Sequence, residues 1–278
     1  MTAAVLRLRN APVLRREAFR FDRLGEFTGT KELVAQIGHE PESWPLAVAK
    51  ELIDNGLDES EEAGIPPQIA VEVSTERGEI IVTDNGRGLP ADTLDSVVDF
   101  AVRISSREAY VSPTRGRQGL GLKGVVAMPY ALDGNRGVTV VESRGTAHRI
   151  VFEIDRVRRT PRILRESRSS DVRNGTRITL YWPPKACALL EDARSQFVQI
   201  TRAYAVFNPH LTLCARWDDK EFLSVRATNP NWPKWLPSAP TSAHWYGAAE
   251  FEHYIAALIA SDQDHGRTGR RVQFPCRS

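Results

Sequence analysis

From Pro45 to Ala63 apolar and polar side chains recur with a helical period. At 100° per residue Leu52, Ile53 and Leu57 fall on one side, and Glu51, Asp54, Asn55 and Asp58 on the other. Gly64 stops that helix, and Pro66 with Pro67 prevents its resumption. The pattern then turns strand-like: Ile69-Ala-Val-Glu-Val and Glu79-Ile-Ile-Val-Thr flank Glu76-Arg-Gly78, a hairpin signal. Further helices are predicted over 92–101, 121–132 and 188–206, and strands over 138–142, 148–154, 162–164 and 176–182. Strands at 211–215 and 221–225 can pair across Trp217-Asp-Asp-Lys220. Residues 103–118 are polar, and a loop of that length inside a domain is usually a functional lid or disordered.

This succession predicts an α/β (α+β) two-layer sandwich: a mixed, mostly antiparallel sheet with helices on one face. It is flanked by less regular segments. Residues 1–30 carry no clear periodicity and read as an N-terminal arm, and 31–225 form the domain. The 226–278 extension opens with Pro230, Pro233, Pro237 and Pro240 beside Trp232 and Trp235, which suggests an extended linker. A short amphipathic helix over 250–260 and a basic tail complete it.

Composition narrows the class. The 278 residues are 41% hydrophobic and 26% charged, ordinary values for a water-soluble protein of one domain or one and a half. No run approaches the ~18 apolar residues of a membrane span, and the N-terminus lacks the apolar stretch of a secretory signal. Cys187, Cys214 and Cys276 are odd in number and far apart, which suits idle thiols in a reducing compartment. The expectation is therefore a cytoplasmic protein with no membrane partner. The net charge of +2 hides a cluster, since eight arginines fall between Arg156 and Arg177. Either they meet a phosphate backbone such as DNA, or they line a solvated strand edge.

Three short motifs carry candidate chemistry. Glu51 and Asn55, four apart, stack on one helical face. A carboxylate there can orient a water as general base, and an amide oxygen one turn on is a hard ligand suited to Mg²⁺. Asp84 ends an apolar strand and enters Asn85-Gly86-Arg87-Gly88. Gly86 and Gly88 permit positive φ and close ligand approach, and the carboxylate is placed to accept a hydrogen bond from an adenine amino group. Gly116, Gly119 and Gly121 lie where a loop meets a helix start, a setting that attracts phosphates, with Lys123 in the first turn. Each motif alone also reads as a polar helix face or an ordinary turn. A Walker A loop is excluded because Leu122, not lysine, follows Gly121. Gly119-Leu-Gly121-Leu-Lys-Gly124 matches the dinucleotide fingerprint literally, but the polar stretch before it is not the buried strand that fingerprint requires.

In this order and spacing the motifs resemble the GHKL ATPase superfamily, which includes gyrase B-type topoisomerases, histidine kinases and MutL. The resemblance implies the Bergerat fold, with ATP between the helices under a glycine lid. That lid would comprise Gly116, Gln118, Gly119, Leu120 and Gly121, whose amides hold the phosphates. Asn174-Gly175-Thr176 resembles a later motif whose threonine helps hold the water of the adenine-binding aspartate. Within the superfamily, Ala49 to Pro66, Arg115 to Gly121 and Ala205 to His210 are most similar to the B-type partner in topoisomerase VI, over roughly residues 30–225. This likeness implies a Mg·ATP-dependent homodimer that closes as a clamp on DNA. DNA cleavage would belong to a separate A-type subunit. That family's transducer domain, with its γ-phosphate lysine, is not expected within these residues, so the chain reads as an ATPase module or a shortened B-like subunit. His39-Glu40-Pro41 lies too close to Glu51 for a kinase phosphoacceptor. A nucleotide-gated interaction module with little turnover is the other reading.

Overall fold

A computed structural model of the chain describes residues 25–98, 121–155, 160–231 and parts of 247–259. Helices α1 (Gly25–Thr28) and α2 (Thr30–Ile37) precede α3 (Trp44–Ala63), followed by strands β1 (Gln68–Ser74) and β2 (Glu79–Asp84). Next come α4 (Ala91–Val98), α5 (Gly121–Asp133), β3 (Arg136–Ser143), β4 (Thr146–Asp155), β5 (Thr160–Ser169) and β6 (Thr176–Tyr181). The series ends with α6 (Cys187–Asp192), α7 (Arg194–Phe207), β7 (Thr212–Trp217) and β8 (Lys220–Val225).

The strands form an eight-stranded sheet in the order β5-β4-β3-β6-β2-β1-β7-β8. Every pairing is antiparallel except β1 with β7. The registers set Val71 opposite Val82, Val82 opposite Ile178 and Ile80 opposite Leu180. Because side chains alternate across a strand, these residues share one face with Ile150, Phe152 and Leu213, and all are buried. α3 covers that face with Trp44, Val48, Leu52, Ile53 and Leu57, also buried. The expected two-layer sandwich with a mixed, mostly antiparallel sheet is the architecture observed.

Some elements differ from the sequence pattern. The arm expected over 1–30 is already helical at Gly25–Thr28, where Phe27 enters the core; residues 1–24 lie outside the described set. The helix expected over 188–206 is two helices joined at Ala193, although the stretch contains neither glycine nor proline. β5 is longer than the Arg162–Leu164 core suggested and pairs with β4 along its whole length. Its charged residues hid it, as they do at sheet edges. The chain divides into two compact units, Met1–Lys234 and Trp235–Ser278; the described parts of the second are helical at 248–249, 251–253, 255–256 and 259.

The arginine cluster does not form one basic surface among the described residues. Arg162 pairs with Glu153, Arg165 with Asp95, and Arg177 with Glu142 and Asp171 at 3.6 Å. Alternation along β5 sends Arg162 and Arg165 to opposite faces of the sheet. Arg156, Arg158 and Arg159 lie outside the described residues.

α7 is tied to α3 by a polar contact. The Tyr204 hydroxyl donates to Asp54 Oδ1 at 2.7 Å, and Lys50 Nζ meets Oδ2 at 2.8 Å. Asp54 is 7% exposed. Tyr204→Phe removes the donor that fastens this buried carboxylate to α7, and should lower unfolding free energy by about 1–3 kcal/mol. A urea midpoint equal to wild type would show that the contact does not join the helices.

Candidate functional site

The site begins where helix α3 meets the end of strand β2. Glu51 and Asn55 share a face of α3, and Asn55 Nδ2 donates to Glu51 Oε1 at 3.4 Å. The next residue, Gly56, lies against Asp84, the last residue of β2: a Cβ at Gly56 would stand 2.9 Å from the Asp84 Cβ and 3.2 Å from the Ile69 Cδ1. No side chain fits between helix and strand there. This joins the carboxylate-amide pair to the aspartate of the second motif.

Asp84 is held by backbone donors. Its Oδ1 accepts from Gly86 N at 2.8 Å and from Thr176 N at 3.3 Å. Thr176 is buried at the start of β6. Gly175, with φ +71°, brings β6 onto the turn, and a Cβ on it would stand 1.9 Å from the Asp84 carbonyl oxygen. Ser143, at the end of β3, donates from Oγ to the Gly175 carbonyl at 2.9 Å and accepts from Leu89 N at 2.9 Å. Asn85 secures the other side. Its Nδ2 donates to the Pro66 carbonyl at 3.0 Å, and its Oδ1 accepts from Gln68 N at 2.8 Å and Ser60 Oγ at 3.3 Å.

Burial pushes the Asp84 carboxyl up to about 6, against the two backbone hydrogen bonds that lower it; the nearby Glu59 charge raises it further. Both backbone bonds fall on Oδ1, so Oδ2 is the oxygen available to an incoming donor. An ionised carboxylate kept in a desolvated place is a strong, oriented acceptor, and shifted groups of this kind concentrate at functional sites.

Gly121, the first residue of α5, packs on the Glu51 carboxylate. A Cβ there would stand 1.9 Å from Oε1 and 2.5 Å from Oε2. Lys123 follows in the first turn and is buried. Two groups of expected residues are thus assembled: Glu51, Asn55 and Gly121 in one, and Asp84, Gly86 and Thr176 in the other, joined at Gly56. Gly116, Gln118, Gly119 and Leu120 lie outside the described residues.

Three expectations change in detail. Gly86 is not in the left-handed region; it is small because a Cβ would stand 2.9 Å from the Glu59 Cβ. Gly88 does turn the chain at φ +78°, but it faces Ser143 and the Gly175 carbonyl. Asp54, on the polar side of α3 with Glu51 in the sequence pattern, points to α7. The sequence pattern assigns no individual role to Gly56, Ser143 or Asn85. Gly56 sits inside the helical motif, but its partner is distant in sequence; Ser143 carries no local signal at all.

A half-open groove of about 610 Å³ lies on the sheet face opposite the helices, lined by Val138, Val140, Arg149, Glu166, Arg168 and Tyr181 among others. It contains none of the expected residues.

Residues 42–186, just over half of the chain, match the family described as histidine kinase-, DNA gyrase B-, and HSP90-like ATPase. The chain belongs to this ATPase family. It is 28% identical over 203 residues to the B subunit of type 2 DNA topoisomerase 6 from Archaeoglobus fulgidus, covering 70% of this chain and 33% of that protein. It is 31% identical over 202 residues to the protein of the same name from Natronomonas pharaonis, covering 69% and 24%. The chain therefore matches a quarter to a third of the length of these relatives. Among solved structures, the Aquifex aeolicus MutL ATPase domain complexed with ADP aligns over 65% of this chain and 62% of that one, at 18% identity and a TM-score of 0.41. No helix among the described residues of this ATPase-family chain is long and apolar enough to cross a membrane.

Asp84 sets a pH dependence with a definite sign. Its folded pKa lies above the ordinary value of 3.8, so the folded state binds the proton more tightly. The resulting stability is fully present below about pH 4 and is lost as pH rises through about 6. A displacement of that size is worth on the order of 3 kcal/mol. Asp84→Asn should therefore match or exceed wild-type stability above pH 6, with the difference shrinking toward pH 4. Parallel curves of unfolding free energy against pH would show that Asp84 does not carry the shifted proton.

Proposed function

We propose that the chain is an ATP-binding and ATP-hydrolysing module of the topoisomerase VI B type. The observation that carries this reading is the half-buried Asp84 carboxylate, held by Gly86 and Thr176 and packed on Gly56 of the helix that bears Glu51 and Asn55. Asp84 accepts a hydrogen bond from the adenine amino group, with Thr176 steadying the carboxylate and its associated water. Gly86, packed on Glu59, and Gly88, at φ +78°, shape the turn that holds Asp84 in place. The phosphates extend toward the N-terminus of α5, where Gly121, the glycine-rich stretch before it and Lys123 supply amides and positive charge. Glu51 orients and deprotonates the attacking water; the rest is positioning and charge stabilisation.

The residues present fit a magnesium ion. The Asn55 amide nitrogen is engaged with Glu51, so the amide oxygen is the group available as a hard ligand. No group of three His, Cys, Asp or Glu side chains among the described residues could hold a metal ion, which leaves the ion to Asn55 and the phosphates. When bound, it neutralises phosphate charge.

The relatives are named as B subunits of a type 2 DNA topoisomerase, which supports DNA and a companion subunit as partners, and the family resemblance extends the same reading to a clamp. ATP drives homodimerisation of a clamp on DNA, and strand cleavage falls to a separate A-type subunit. The paired arginines of β5 and β6 do not add to the case for DNA, which rests on those relatives.

Glu51→Ala tests the enzymatic part. ATP hydrolysis should fall by roughly 10²–10⁴-fold, while ATP binding persists. Hydrolysis unchanged in the variant would contradict the role of Glu51. Wild type that binds ATP without turnover, even with DNA and an A-type partner, would favour a nucleotide-gated interaction module.

A further inference from the structure

The Glu51 carboxylate lies against Gly121 at the start of α5. We infer that the Glu51 carboxylate occupies the phosphate cradle at the start of α5, so that an entering phosphate must evict the general base in order to bind. This deepens the ATP-site reading above and rests on it.

Space and charge both bear on this contact. Both Glu51 carboxylate oxygens lie within 2.5 Å of the position a Gly121 Cβ would take, so the carboxylate rests on the bare backbone of the first residue of α5. That end of a helix carries partial positive charge, and a carboxylate is stabilised there for the same reason a phosphate is. Asn55, one turn along α3, donates to Oε1 at 3.4 Å. Two anions cannot share that position, because repulsion at contact distance in a partly desolvated place outweighs either attraction to the helix. A phosphate that settles against Gly121 displaces Glu51 from the backbone. The displaced carboxylate stays on the same face of α3, within reach of a water beside the phosphate. Asn55 loses its bond to Glu51 in the same event and becomes able to turn toward a cation. Phosphate entry thus both opposes and arms the base. The carboxylate therefore lowers the affinity of phosphate-bearing ligands and leaves that of phosphate-free ones unchanged.

Charge and reach separate this from simple repulsion. Glu51→Gln removes the charge and keeps the length. Glu51→Asp keeps the charge and withdraws the carboxylate by one methylene, out of the cradle. The affinities of ADP and adenosine for wild type and both variants are measured by isothermal titration calorimetry. Each variant should bind ADP roughly five- to tenfold more tightly than wild type, the scale of a charge removed from a helix end. Adenosine, which has no phosphate, should bind all three alike, and that equality also shows that the variants are folded. ADP affinity within twofold of wild type in both variants would overturn the inference and leave the nucleotide site standing. A gain in Glu51→Gln alone would also overturn it, since charge without occupancy would then be the cause. Absence of both ADP and adenosine binding in all three proteins would overturn the inference together with the ATP reading beneath it.

Discussion

Helix α3 lies directly on the end of strand β2, and the absence of a side chain at Gly56 is what permits it. A Cβ there would meet both Asp84 and Ile69. Any larger residue would have to lift the helix from the sheet, and with it Glu51 and Asn55. The contact therefore fixes the distance between the half-buried Asp84 carboxylate and the carboxylate-amide pair on the same helix. The core supports it from below, through Leu52, Ile53 and Leu57 of α3 against the buried alternate residues of β1 and β2. Tyr204 and His210 hold the far side of the helix, the latter through a 2.8 Å contact with Glu61.

The aspartate shows what this scaffold maintains. An ionised carboxylate in a desolvated setting is unfavourable for folding at neutral pH, which is the meaning of a pKa near 6. The chain retains it by surrounding it with donors drawn from two further elements: the turn after β2 and the start of β6. Ser143 and Gly175 bring those elements together. Local stability is given up for an acceptor that the fold itself does not need, and such a departure from the most stable arrangement is expected at a functional site.

Much of this was legible in the sequence, for identifiable reasons. The α3 face was visible because helical period and the Gly64 stop agree, and the β1–β2 hairpin because alternation and turn residues agree. Asp84 stood out only through the order and spacing of the three motifs, since an Asp-Asn-Gly turn by itself is ordinary. The parallel pairing of β1 with β7 was not, since no local pattern reports a partner more than a hundred residues away. The break at Ala193 was hidden for lack of a breaker residue, and α1 and α2 because their short patterns do not stand out. The contribution of Gly56 and Ser143 is a matter of contact rather than chemistry, so composition and spacing could not reveal it. The arginine cluster shows the converse: it was conspicuous in sequence, but in three dimensions Arg162, Arg165 and Arg177 pair with neighbouring carboxylates.

Everything proposed for this site depends on Asp84 accepting a hydrogen bond from a nucleotide base. The most direct measurement is the affinity of ATP for wild type and Asp84→Asn, at a pH above 7 where the wild-type carboxylate is ionised. The account predicts that wild type binds and that the variant, folded and no less stable, loses binding by roughly a hundredfold or more, as expected when a buried polar contact is mismatched. Equal affinities in the two proteins would contradict it.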